Sequence, residues 1–212
     1  MLYWNTIEDR LKESLILLMK APEFSKFRLV GGTALSLQIG HRMSVDIDLF
    51  TDAPYGSIDF DILDQFLKNN FHYVDTSFGM LPGMGRSYLV GKDKNDAIKL
   101  DVYYTDDFIQ PALVIDNIRF ATIEEIIAMK VDVIARGGRK KDFWDLHEFL
   151  DNYSIPQMLT LHGHRYPFNH NEKIIMENFR NFGDADYDFE PICLHGKYWE
   201  FIKLDIINAL ES

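Results

Sequence analysis

Two short stretches hold the residues whose types and spacing can do chemistry. Leu29-Val30-Gly31-Gly32-Thr33 runs an apolar segment into a glycine pair, and Ser44-Val45-Asp46-Ile47-Asp48-Leu49-Phe50 sets two carboxylates around one apolar residue. Successive side chains of a strand point to opposite faces, so Asp46 and Asp48 share one face while Val45, Ile47 and Leu49 turn to the core. Like charges held side by side cost free energy unless a cation sits between them or one carboxylate keeps its proton. For oxygen ligands that cation is Mg²⁺ or Mn²⁺. A glycine turn between a strand and a helix start offers backbone N–H groups that suit a phosphate. An anion cradle beside a cation site is what phosphoryl chemistry needs. Each feature also has a purely structural use, since acids keep an exposed strand soluble and glycines permit a tight turn. The turn is not a Walker A loop, because no Gly-Lys-Ser/Thr ending follows.

Periodicity adds further residues. In Ile98-Lys99-Leu100-Asp101-Val102-Tyr103, alternation places Asp101 opposite Leu100 and Val102, available as a third carboxylate. At about 100° per residue from Ile123, the side chains of Ile127, Lys130 and Ile134 fall in one arc, putting a lysine at the centre of an apolar helix face. Its stem can snorkel to the rim; otherwise the ammonium needs an anionic partner, either a nucleoside triphosphate or a carboxylate. Asp142 reads as a helix N-cap and Asp145 as a first-turn acid. His162-Gly163-His164 reads as a polar loop, and no zinc is assigned. Neither a Gly-x-Ser-x-Gly elbow nor a histidine motif beyond His195 near Cys193 supports nucleophilic hydrolysis.

The elements that must position these residues follow from capping and turn signals. Thr6 is expected to cap a helix through Leu11, Leu15 and Leu18 that ends at Pro22. A strand over residues 27–30, the Gly31-Gly32 turn and a helix over 33–39 stopped by Gly40 come next, then a strand over 45–50. Ser57 is expected to cap a helix carrying Ile58, Ile62, Phe66 and Leu67 that frays at Asn69-Asn70. Strands are expected over 71–78, 86–90 and 98–104, the last two joined as a hairpin through Gly91-Lys92-Asp93-Lys94-Asn95-Asp96, so the sheet should be mixed. Gly79, Gly83 and Gly85 read as a mobile turn. Thr122 and Glu125 form a capping-box pattern opening a helix that Arg136-Gly137-Gly138 stops. Helices over 142–150, 172–182 and 197–210 complete an α/β (α+β) core over 1–120, including the N-terminal helix, and a helical subdomain over 121–212.

Composition narrows the setting. The 212 residues are 47% hydrophobic and 26% charged, with 16 Phe, 10 Tyr and 3 Trp, enough for a sizeable core. A net charge of −11 argues against loose adhesion to nucleic acid, which would need a local basic patch; Arg136, Arg139, Lys140 and Lys141 are the candidates, and a solvated loop explains them as well. The only cysteine, Cys193, excludes a disulfide framework within the chain. The N-terminal residues lack signal-peptide order and no apolar run reaches a membrane span, so a cytoplasmic protein without membrane contact is expected.

Taken together, Val30-Gly31-Gly32-Thr33-Ala34-Leu35, His41-Arg42-Met43-Ser44-Val45-Asp46-Ile47-Asp48-Leu49-Phe50, Ala128-Met129-Lys130 and Arg139-Lys140-Lys141-Asp142-Phe143-Trp144-Asp145-Leu146 resemble the nucleotidyltransferase toxins of the AbiEii/AbiGii type, within the DNA polymerase β-like nucleotidyltransferase superfamily. The likeness spans roughly residues 25–150. It implies a mixed sheet with flanking helices and a helical C-terminal part closing over the site. It further implies that Gly31, Gly32, Thr33 and Ser44 hold nucleotide phosphates, that Asp46, Asp48 and Asp101 bind Mg²⁺ or Mn²⁺, and that Lys130 and Asp142 serve nucleotide binding and catalysis, with Asp145 the alternative to Asp142. The implied reaction transfers a nucleotidyl group from a nucleoside triphosphate to a hydroxyl acceptor. In characterised relatives the acceptor is tRNA, and a separately encoded antitoxin is the partner. A protein or aminoglycoside-like acceptor, or a module that binds nucleotide or antitoxin without turnover, are the alternatives.

Overall fold

The computed structural model describes residues 1–76 and 83–211. The chain divides into two compact units: Met1–Ile39, Ser44–Asp107 and Pro111–Ala121 form the first, and Gly40–Met43, Phe108–Gln110 and Thr122–Ser212 the second. Specific bonds explain the two excursions. His41 and Arg42 pair with Asp145, and the N–H groups of Ile109 and Gln110 donate to Glu125.

In the first unit, α1 (Asp9–Lys20) buries Leu11, Leu15 and Leu18 as its spacing predicts. Thr6 does not cap it. The Thr6 hydroxyl donates to the Tyr3 carbonyl within a preceding 3-10 turn, and extended Glu8 takes the N-cap position. Then follow β1 (Arg28–Val30), α2 (Gly31–Ile39), β2 (Asp46–Thr51), α3 (Phe60–Asn70), β3 (Tyr73–Asp75), β4 (Gly85–Asp93), β5 (Asp96–Tyr104), β6 (Leu113–Ile115) and β7 (Ile118–Phe120). They form one mixed sheet in the order β3-β4-β5-β2-β1-β7-β6, with β2/β5 and β1/β7 parallel and the other pairs antiparallel.

Several local expectations shift. Asp59, not Ser57, caps α3, its carboxylate accepting from the N–H groups of Asp61 and Ile62. The buried face of α3 is therefore Phe60, Leu63 and Leu67, while Ile62 is exposed. Val45 lies before β2 and is 63% exposed, whereas Ile47 and Leu49 are fully buried. The β4/β5 hairpin is tighter than its polar sequence suggests, with pairing maintained to Asp93 and Asp96 around a bulge. Gly79 and Phe78 lie outside the described residues, and Gly85 opens β4, where a Cβ would collide with the backbone of Val102 and Tyr103. The hairpin β6/β7 was not foreseen. Asp116 and Asn117 turn it with φ of 52° and 64°, the doubly left-handed backbone that a two-residue hairpin prefers.

The second unit comprises α4 (Ile123–Ile134), α5 (Lys140–His147), α6 (Ile155–Arg165), α7 (Glu172–Phe179), α8 (Gly183–Asp186) and α9 (Trp199–Glu211). Thr122 caps α4 through Glu125 N–H, but the box is half-formed because the Glu125 carboxylate turns to Ile109, Gln110 and Arg165 instead. Gly137 and Gly138, both with positive φ, close its C-terminus. The unforeseen helix α6 starts at a complete Ser154/Gln157 capping box with Pro156 in its first turn. His162-Gly163-His164 is thus helical rather than a loop, and His162 is fully buried. The basic group disperses: Arg136 pairs with Asp132, Arg139 with Asp142, and Lys140 is buried with its ammonium over the Trp199 ring. No helix among the described residues is long and apolar enough to cross a membrane.

Candidate active site

In the first unit, strand register assembles the acids. Parallel pairing of β2 with β5 sets Asp48 beside Asp101 and Asp46 beside Lys99, and alternation turns all four side chains to one face of the sheet. Antiparallel pairing with β4 adds Ser87 beside Asp101, and the Ser87 hydroxyl is 2.8 Å from that of Tyr103, which shares the face. Lys99 Nζ lies 2.5 Å from Asp101 Oδ2. Burial pulls the Lys99 ammonium down, but Asp101, followed by Asp48 and Asp46, outweighs it and holds it above its ordinary value. The other oxygen of Asp101, Oδ1, is buried with no hydrogen-bond partner among the described residues. A cleft of about 260 Å³ opens beside this face, lined in part by Ser44, Asp46 and Lys99.

The glycine segment abuts the same carboxylates. The helix α2 begins directly at Gly31, so the expected separate turn is absent. Gly31 has φ +68°, and a Cβ on it would run into Asp48 Oδ2. The start of α2 therefore packs against the Asp48 carboxylate, which the positive end of the helix dipole favours. Thr33 is buried, and its hydroxyl donates to the Asp46 carbonyl while receiving the Ser44 hydroxyl at 2.8 Å. It ties α2 to the first residue of β2. We expect Gly31→Ala to cost about 1–3 kcal/mol through left-handed strain and displacement of Asp48. A thermal melt unchanged from wild type would contradict that account.

In the second unit, the lysine placed by helical phase on an apolar stripe is 6% exposed and has found carboxylates. Lys130 Nζ lies 2.6 Å from Asp142 Oδ1 and 2.7 Å from Asp145 Oδ2. Arg42 grips Asp145 bidentately, Nε to Oδ1 at 2.6 Å and Nη2 to Oδ2 at 2.9 Å, and His41 Nε2 donates to Oδ1 at 2.8 Å. Asp142 is not an N-cap. It is the third residue of α5, and its Oδ2 accepts the N–H of the capping residue Arg139. Asp145 is no exposed first-turn acid either, being fully buried in mid-helix. Burial alone would push the Asp145 carboxyl up, but Lys130 and Arg42, helped by His41, hold it well below its ordinary 3.8. Burial likewise opposes ionisation of Asp142, and Lys130 then Arg139 bring it below its ordinary value. For Lys130 burial pulls down, and Asp145 then Asp142 raise it.

Lys99, Ser87 and Tyr103 escaped sequence reasoning, although Lys99 and Tyr103 stand two residues either side of Asp101, a spacing that puts them on its face. Arg42 and His41 carried no local signal for their partner, which lies 103 and 104 residues away.

Whether the acids suit a divalent cation rests on two observations: all three offer hard oxygen donors from one face, and Asp101 Oδ1 is a buried acceptor without a donor. Both fit Mg²⁺ or Mn²⁺. Among the described residues, no three His, Cys, Asp or Glu side chains stand grouped closely enough to hold a metal ion as they are.

Comparison with known proteins adds an independent finding. The family model described as nucleotidyl transferase AbiEii toxin, type IV TA system, matches residues 15–212. The chain is 26% identical over 197 residues to the uncharacterized protein aq_aa25 of Aquifex aeolicus (strain VF5), covering 87% of this chain and 79% of that one. Its fold is similar to the crystal structure of JHP933 from Helicobacter pylori, with TM-score 0.60, 18% identity, and coverage of 96% of this chain and 91% of the other. It is also similar to MenT4, nucleotidyltransferase toxin Rv2826c from Mycobacterium tuberculosis H37Rv, with TM-score 0.52, 16% identity, and coverage of 92% and 83%.

Proposed function

Since the chain belongs to the nucleotidyl transferase AbiEii toxin family, we propose that it transfers a nucleotidyl group from a nucleoside triphosphate to a hydroxyl of tRNA, under control of an antitoxin. The acceptor oxygen forms a bond to the α-phosphorus, the bond to pyrophosphate breaks, and the acceptor proton leaves to a base. Asp46, Asp48 and Asp101 would hold Mg²⁺ or Mn²⁺, which supplies charge neutralisation for the attacking and leaving oxygens. Asp101 is the proposed base, supported by its orphaned Oδ1. Backbone N–H groups of Gly31 and Gly32 at the start of α2 would receive the phosphates. Thr33 and Ser44 act in this reading by holding α2 against β2, since their hydroxyls are already engaged. Lys130 and Asp142 remain the proposed catalytic pair from the helical unit, with Lys130 Nζ 2.6 Å from Asp142 Oδ1.

The observation that carries this reading is the register that gathers three carboxylates on one face beside Gly31. One observation favours a protein or small-molecule acceptor instead: within the 136–141 basic group, Arg136 and Arg139 already carry acidic partners and Lys140 is buried. Titration of each nucleoside triphosphate with and without Mg²⁺ tests the site. Binding should require metal in the wild type and be lost in Asp46→Asn/Asp48→Asn; metal-independent binding, or full retention in the double variant, would refute it. Labelled nucleotide offered to total RNA, protein and small acceptors then reads the acceptor class, and label confined to protein would sink the tRNA version.

A further inference from the structure

Three carboxylates on one sheet face repel one another, and Lys99 is a cation on that same face. It stands in register with Asp46, two residues before Asp101 on the same strand, and binds only one oxygen of Asp101. Lys130 is clamped between two buried carboxylates, whereas the Lys99 side chain is 47% exposed on a flexible stem and can release its head into water at small cost. Asp101 is thus half satisfied: Oδ2 is held by a displaceable ammonium, and Oδ1 is buried and unpartnered. A divalent cation and an ammonium cannot both sit against one carboxylate without strong repulsion.

We propose that Lys99 is a resident counter-ion on the carboxylate face, paired with Asp101 in the metal-free protein and releasing it when a divalent cation binds. The inference rests on the reading that these three acids are the metal ligands. Lys99 is a positioning residue in this scheme: it holds Asp101 in place on the face, and it sets how tightly metal is held.

The test is Mn²⁺ affinity of the full chain, read by electron paramagnetic resonance of the free ion, for wild type, Lys99→Met, Lys99→Arg and Lys92→Met. Lys92 is an exposed residue of β4, so its removal reports the bulk effect of one charge. Lys99→Met should bind Mn²⁺ about tenfold more tightly, as expected for deleting one charge at contact distance from a part-exposed site, with Lys99→Arg and Lys92→Met near wild type. The metal-free Lys99→Met protein should also melt lower and gain more from saturating Mn²⁺. Equal or weaker binding by Lys99→Met, or an equal gain in Lys92→Met, overturns the counter-ion role while leaving the metal site intact. Failure of wild type and Lys99→Met alike to bind Mn²⁺ removes the metal reading itself, and with it the inference.

Discussion

Asp145→Ala should lower the melting temperature by on the order of 10 °C, following from a loss of about 3–5 kcal/mol when one partner of a buried ion pair is removed. Asp145 is fully buried and accepts from three cationic or ring donors at once: Lys130, Arg42 and His41. Its deletion leaves Lys130 with only Asp142 and leaves the buried guanidinium of Arg42 without its bidentate acceptor. Their desolvation has already been incurred and is no longer offset. Asp145→Asn keeps the volume but not the charge, and should recover only a small part of the loss. Circular dichroism melts at neutral pH measure both. A shift under 2 °C for the alanine variant would show that the cluster relaxes or hydrates more easily than its geometry suggests.

The second large effect is acid sensitivity. Asp132, Asp142, Asp145, Glu124 and Glu148 all have carboxyl groups below their ordinary values; burial opposes this in every case and is outweighed by specific cations and hydrogen bonds. A group with a depressed folded value binds fewer protons folded than unfolded, so stability rises with pH through that range. Its contribution is complete above the ordinary 3.8–4.5 of these acids and disappears as pH falls through the lower folded values. Lys130 has the opposite sign. Its raised value stabilises below the ordinary 10.5 and is lost only as pH climbs through the higher folded value. The melting temperature should therefore be flat near neutrality and fall steeply below about pH 4, where several carboxylates protonate together. Asp145→Asn should flatten that acid limb. A wild-type melting temperature as high at pH 3 as at pH 7 would contradict the assignment.

Much of the candidate site was legible because it is written in local periods. Alternation sufficed to put Asp46 and Asp48 on one face and to make Asp101 available, and helical phase sufficed to bury Lys130. Cap assignments fared less well. Thr6, Ser57 and Asp142 each satisfy the residue preference for a cap, yet a nearby carbonyl, a neighbouring aspartate and a buried lysine claimed their roles or replaced them. The start of α6 was readable in Ser154-Ile155-Pro156-Gln157, and the hairpin turn in Asp116-Asn117 between apolar residues.

The sequence by itself determined which side chains would be ionisable and on which face of which element they would stand, because side-chain direction repeats every two residues in a strand and about every 3.6 in a helix. Partner identity belonged to the tertiary structure. Only strand register joined Asp48 to Asp101 and set Lys99 among the acids, and only the fold decided that the buried Lys130 ammonium meets Asp142 and Asp145. The same holds for Arg42, whose carboxylate is 103 residues distant. Local periodicity orients a charge, but its counter-charge is selected by long-range packing, where the cost of an unpaired buried ion permits few arrangements.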